Sequence, residues 1–456
     1  MNAELQTTSL PYHATPLRYF ESLRSRPGAV LLDSGRPQAP GGRFDILSSD
    51  PIEWLEVDQH GLPRDSSGRA LEGSAFDAQQ RLLERLPRPR QELDLPFVGG
   101  LIGYWSYDLG RQLAGIEGPS QTATALPQAR LGLYDWALIQ DHQERRCLLV
   151  ASPERRQQVQ TWLATATPAG DFSLSSAFTS NLSEAGYRDR FARVQDYIRA
   201  GDCYQINLAQ RYSADYRGDL WQAYLRLRDA TPTPFAGFMA WQYAGREQAL
   251  LSLSPERFVE SRQGEVETRP IKGTRPRGAN EHEDAALAQE LSSSIKDRAE
   301  NVMIVDLLRN DLGRVCQPGT VKVPQLCGLE SYANVHHLVS VVKGRLPDET
   351  PPLKLLEAAF PGGSITGAPK IRAMQIIDEL EPDRRSAYCG SLGYVDVRGH
   401  MDTSIAIRTL VADAGRLHIW GGGGLVADSR EQAEYTETQD KIRHLMAALG
   451  TATDSR

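Results

Sequence analysis

An α/β fold of the α+β type is what the 456-residue sequence predicts, and three observations predict it. Strand-like and helix-like segments intermix without the regular strand–helix–strand alternation of a doubly wound sheet. No repeat of about 20 to 50 residues is visible that would point to a solenoid or propeller. Apolar residues make up 40% and charged residues 24% of the chain, the balance of a globular protein with a sizeable core.

The elements follow in order. Residues 1–150 read as short strands and turns with a few helices. Among them Gly99-Gly100-Leu101-Ile102-Gly103-Tyr104-Trp105 mixes strand formers with glycines suited to turns or close backbone contacts. Residues 151–182 end in a small polar run and form the best linker. The chain thus divides into an N-terminal region, 1–165, and a C-terminal region, 183–456, intertwined in one globular unit. Tyr187, Phe191, Val194 and Ile198 share a helical face that Gly201 ends, and residues 203–208 alternate like a strand. Leu287, Leu291 and Ile295 mark one helix and Val302, Val305, Leu308 and Leu312 another. Residues 417–420 form a strand that runs into the four glycines 421–424, and a last helix covers roughly 430–449.

Composition excludes some functions. With 51 Lys plus Arg against 58 Asp plus Glu the net charge is −7, which argues against nucleic acid as the main partner. Five scattered cysteines (147, 203, 316, 327 and 389) contain no C-x-x-C pair, so neither a zinc site nor a disulfide framework is expected. The N-terminus lacks the basic and apolar regions of a leader, and no apolar run approaches the roughly 20 residues of a membrane span. A cytoplasmic location is expected.

Four segments carry candidate chemistry. Glu434, Glu437 and Lys441 fall at spacings of three and four, on one helical face. Two carboxylates one turn apart suit magnesium, yet the same spacing describes an exposed helix with a Glu437–Lys441 pair. Asp297 and Glu300 open a helix and, taken alone, read first as a capping box that would employ Glu300 structurally. The glycines 421–424 offer backbone N–H groups to an anion, or a flexible turn. Lys272 lies among Arg269, Arg275 and Arg277. Neighbouring positive charge would lower its pKa and make it nucleophilic, unless the segment is only a solvated basic loop. His336-His337 and the helix opening at Gly367-Ala368-Pro369-Lys370, with Pro369 in its first turn, admit both a ligand role and a structural one.

Together these segments resemble the chorismate-utilising enzymes. The resemblance runs through residues 187–449 in GDCYQINLAQRY, SPERF, TRPIKGTRPRG, DRAENVMIVDLLRND, VHHLVSVVKG, PGGSITGAPKIRAM, YCGSLGYVD, TSIAIRT, GGGGLVADS and EYTETQDK. It extends more weakly to LLDSGRPQAPGGRFDI and GGLIGYWSYDLG. It implies a fold similar to anthranilate synthase component I: two facing β-sheets surrounded by helices around a deep site. It also implies chorismate as substrate and one Mg²⁺ held by Glu300, Glu434 and Glu437. Lysine at position 272 resembles the family's aminodeoxychorismate synthases, whereas its anthranilate synthases usually read P-I-A-G-T there. Gln205 stands where its isochorismate and salicylate synthases place a water-activating lysine.

The resemblance therefore implies Lys272 as nucleophile and Glu256 as general acid and base. Thr274, His337, Ser364, Tyr388, Arg408, Gly422, Gly424 and Lys441 would surround the substrate. Ammonia would come from a separate glutamine amidotransferase, and the product, 4-amino-4-deoxychorismate, leads to 4-aminobenzoate and folate. Leu32 and Ser34 match a tryptophan pocket of relatives. The alternatives are an anthranilate synthase component I, which Lys272 disfavours, and a non-catalytic chorismate-binding subunit, which the intact glutamates disfavour.

Overall fold

Antiparallel pairing organises nearly the whole chain. The structure, a computed structural model, describes residues 5–450 except 40, 92, 166, 169, 244, 333 and 334. Among the described residues, 24 strands form a 13-stranded and an 11-stranded sheet. Each sheet takes strands from both halves of the sequence. In the larger one Val30–Asp33 pairs with Phe235–Tyr243, and in the smaller one Gly100–Trp105 pairs with Ser391–Asp396.

Apolar alternation explains how the sheets stack. Leu250 and Val411 of the larger sheet join a buried cluster with Leu101 and Leu131 of the smaller one. Their neighbours Leu251 and Leu410 point the other way, into a second cluster. There Phe20, Val159, Leu227 and Leu445 come from four helices that cover the outer face. A sheet buried on both faces needs nearly continuous apolar strands, and Arg246–Ser254 is buried at every position from 248 onward.

The Glu184–Ala200 helix has the expected face, with Ser183 capping its start and Gly201 its end in the left-handed region at φ +81°. Other elements differ from expectation. Ile295 does not close the Glu281–Ser293 helix; it begins the Ile295–Gly313 helix and is exposed. Ser294, extended at ψ 110°, breaks the two apart. It caps the second by accepting a hydrogen bond from the Asp297 N–H at 3.2 Å. Asp297 is thus no N-cap, and Glu300 is released from a capping box. Pro369 precedes the Lys370–Leu380 helix instead of occupying its first turn. Lys370 is spent on the buried Asp311 carboxylate at 2.6 Å, which leaves that helix start a structural role. The glycines 421–424 form no turn, because the strand runs on from Arg416 to Leu425 and pairs residue by residue with Gln205–Gly218. Among the described residues no helix is long and apolar enough to cross a membrane.

Candidate active site

The glycine strand lets three elements approach one another. A Cβ on Gly421 would lie 1.9 Å from the Thr438 carbonyl, and one on Gly423 would lie 3.2 Å from Glu434 Oε2 and 3.6 Å from Glu437 Oε1. The Glu431–Ala448 helix therefore packs onto bare backbone. Alternate residues face the other side. There a Cβ on Gly422 would meet the Tyr388 hydroxyl at 2.8 Å, and one on Gly424 the Gln205 amide at 2.4 Å. Tyr388 is buried and stacks on Trp420, 5° from parallel.

Lys272 comes from the smaller sheet. Its strand, Ile271–Pro276, pairs with Val335–Arg345, and the register shifts between Ile271 and Thr274. Gly273 sits at φ +78° there, where an added Cβ would lie 2.8 Å from Leu291 and 3.0 Å from Asp297. A bulge of this kind re-aims the side chain beside it. The Lys272 ammonium makes no hydrogen bond or ion pair among the described residues. Burial lowers its pKa, the Glu300 and Glu256 carboxylates oppose that, and Lys441 adds to it. The arginines near it in sequence are not the cause. Arg269 is tied to Glu330, Arg275 to Glu290 and Arg277 to Asp284, at 2.6–2.7 Å.

Glu256, 7% exposed, follows the Arg246–Ser254 strand. Burial pushes its carboxyl up to about 7, against Lys272 and the Ser364 hydroxyl, which donates to it at 3.2 Å. Burial also raises Glu300 and Glu434. Glu434 is 4% exposed and accepts from the Ser429 hydroxyl at 2.6 Å. Burial would raise Glu437 too, but Lys441, 2.7 Å away, together with Lys296 and Lys272 outweighs it and the pKa falls. Lys441 also donates to the Gly422 carbonyl at 2.9 Å. The helical pair that spacing suggested is thus real, and it sits at the site.

An open cleft of about 650 Å³ is lined by Arg408, Thr436, Glu437 and Lys441 among others. Arg408 has φ +50°, and its guanidinium makes no ion pair or hydrogen bond among the described residues. His337 and Thr274 bond to each other, Nδ1 to Oγ1, at 2.9 Å. His336 is bonded to Ser331 and Asp284 and buried. Leu32 lines a separate cavity of about 300 Å³. Ser34 does not, because its hydroxyl is turned to Asp45 at 2.6 Å.

The donor set fits a hard cation. Glu300, Glu434 and Glu437 are hard oxygen donors from two helices; Glu437 acts electrostatically on both of the others, and Gly423 leaves room beside Glu434 and Glu437. As they stand, no three His, Cys, Asp or Glu side chains among the described residues converge closely enough to hold one. Spacing alone does not reveal Lys296, whose charge acts on Glu300, Glu434 and Glu437. The one available signal is a lysine in the first turn of a helix, where the macrodipole disfavours it.

Comparison with known proteins places the chain in a family. A model of the family described as chorismate binding enzyme matches residues 32–447. Aminodeoxychorismate synthase component 1 of Klebsiella aerogenes is 48% identical over 97% of this chain and 98% of that protein. Anthranilate synthase component 1 of Pseudomonas aeruginosa is more distant, 36% identical over 97% and 94%. Among solved structures, anthranilate synthase component I from Streptococcus pneumoniae superimposes with a TM-score of 0.79. It is 31% identical and covers 89% of this chain and 92% of its own. A family match over most of the chain, a near full-length relative and a shared fold leave one assignment: the chain belongs to the chorismate binding enzyme family.

Proposed function

We propose that the protein converts chorismate and ammonia to 4-amino-4-deoxychorismate through a covalent adduct on Lys272. The observation that carries this is an unpaired, pKa-lowered lysine next to a carboxyl held near neutrality. Lys272 bonds to ring carbon 2 while the ring double bonds shift and the carbon 4–oxygen bond breaks. Glu256 gives the departing hydroxyl its proton, so that water leaves. Ammonia then adds at carbon 4, Lys272 is expelled from carbon 2, and Glu256 takes the excess proton. Arg408 offers two parallel N–H groups to a substrate carboxylate. Tyr388, Thr274, His337, Ser364 and the backbone at Gly422 and Gly424 orient the rest. Glu300, Glu434 and Glu437 would hold Mg²⁺, which when bound neutralises part of a dianionic substrate. The relatives' designation as component 1 supports a partner, which we propose is a glutamine amidotransferase that supplies ammonia.

The test is incubation of the chain with chorismate, Mg²⁺ and a fixed concentration of free ammonia between about pH 6 and 9, with products resolved by mass. Aminodeoxychorismate is expected, and anthranilate would overturn the reading. The pH profile should be bell-shaped. Free-base Lys272 increases as pH rises, while protonated Glu256 is lost through about 7, so the alkaline limb belongs to Glu256.

The cavity lined by Leu32, Phe44 and Phe235, with Arg257 and Asp402 at its wall, suits an aromatic amino acid. We propose tryptophan as its ligand. A rise in melting temperature on adding tryptophan to the purified chain is expected, and no shift at millimolar tryptophan removes the proposal.

A further inference from the structure

Helix physics does not explain Lys296. It sits in the first turn of the Ile295–Gly313 helix, where the macrodipole repels a cation. It precedes Glu300 by four residues, the order that stabilises a helix less. Its Nζ is 4.0 Å from Glu300 Oε1, beyond hydrogen-bond reach, and half of the side chain is in solvent. A pair of that kind contributes little to stability. A cation placed against local preference marks a site where another demand prevails.

Carboxylates supply that demand. Lys296 acts on Glu300 from its own helix and on Glu434 and Glu437 from the facing helix. The other two lysines nearby have additional contacts or tasks. Lys441 is bonded to Glu437 and to the Gly422 carbonyl, and Lys272 shares the groove with Glu256. Among the described residues, Lys296 has only the glutamate cluster.

We propose that Lys296 is the resident counter-cation of this cluster: it offsets the three carboxylates in the metal-free protein and competes with the divalent cation that enters. This rests on the reading that Glu300, Glu434 and Glu437 hold that cation. The lysine is tethered by a flexible stem, so it can withdraw into solvent as the ion arrives, and its remaining repulsion keeps the ion's affinity modest. A dianionic substrate offsets that repulsion, so the metal is held more firmly once substrate is present.

The test is Mn²⁺ binding to the substrate-free chain, followed by electron paramagnetic resonance of the free ion. Lys296→Met should bind Mn²⁺ about three- to tenfold more tightly than wild type, the size expected of one half-screened charge. Lys296→Arg, which keeps the charge, should match wild type. Raising the salt concentration should shrink the difference between Met and wild type. Unchanged or weaker binding in Lys296→Met overturns the proposal, as does a Lys296→Arg variant that tightens like Met. Glu437→Gln is the separate arm for the underlying reading. If it binds Mn²⁺ like wild type, or if wild type binds none, the three-glutamate site itself fails and the proposal with it.

Discussion

Lys272→Ala is expected to form aminodeoxychorismate roughly a thousandfold more slowly, a loss of about 4 kcal/mol of transition-state stabilisation. The size follows from the chemistry. Without an adduct, carbon 4 must lose hydroxide and gain ammonia in a single displacement, and among the described residues the other amine that acts on Glu256, Lys441, is held by Glu437 and the Gly422 carbonyl. Lys272→Arg separates nucleophile from charge, because arginine keeps the cation but is never deprotonated at working pH. Both variants should lose the rate, and intact-mass measurement should find no chorismate-derived adduct in either. An Arg variant with wild-type turnover would reduce Lys272 to an electrostatic neighbour of Glu256 and Glu300.

Glu434→Gln carries the second large effect. Glu434 is nearly inaccessible, its partner Ser429 fixes one carboxylate oxygen, and the other faces Gly423. A glutamine there keeps the volume and removes one of the three anionic oxygens proposed as ligands. The Mg²⁺ concentration for half-maximal activity should rise at least about a hundredfold. Since Gln also relieves like-charge repulsion with Glu437, the variant should fold at least as well as wild type. Wild-type Mg²⁺ dependence in Glu434→Gln would return this carboxylate to a helix-packing role.

Much of this was legible because helical spacing is short-range. Glu434, Glu437 and Lys441 needed only periodicities of three and four to be placed on one face, and the Glu437–Lys441 pair is there at 2.7 Å. The conformation of the glycines 421–424 was not legible, because a run of four carries no record of what lies across it. Whether they bend or stay extended is decided by Gln205–Gly218, some two hundred residues away, and by the helix packed on them. Asp297 misled by one turn, since Ser294 offered an equally good cap three residues earlier. The cause of the Lys272 shift was also displaced: adjacent arginines in sequence face away to their own acids, and burial acts instead. The Ser34 hydroxyl, read from a segment match, is turned to Asp45 of the same segment by the pairing of Val30–Asp33 with Phe44–Ser48, a contact that residue identity alone does not reveal.

The sharing of each sheet between distant segments bears on how the molecule is made. In the larger sheet, Val30–Asp33 has Phe44–Ser48 on one side but finds its other neighbour only when Phe235–Tyr243 exists, and the strands beyond that wait for Thr409–Asp413 and Arg416–Leu425. A ribosome-bound chain of two hundred residues would therefore carry sheet edges with no partner yet synthesised. Such high contact order slows folding and leaves sticky strand edges waiting. The larger sheet therefore closes only after the last strands emerge, and until then the nascent first half exposes strand edges of the kind that make chains aggregation-prone.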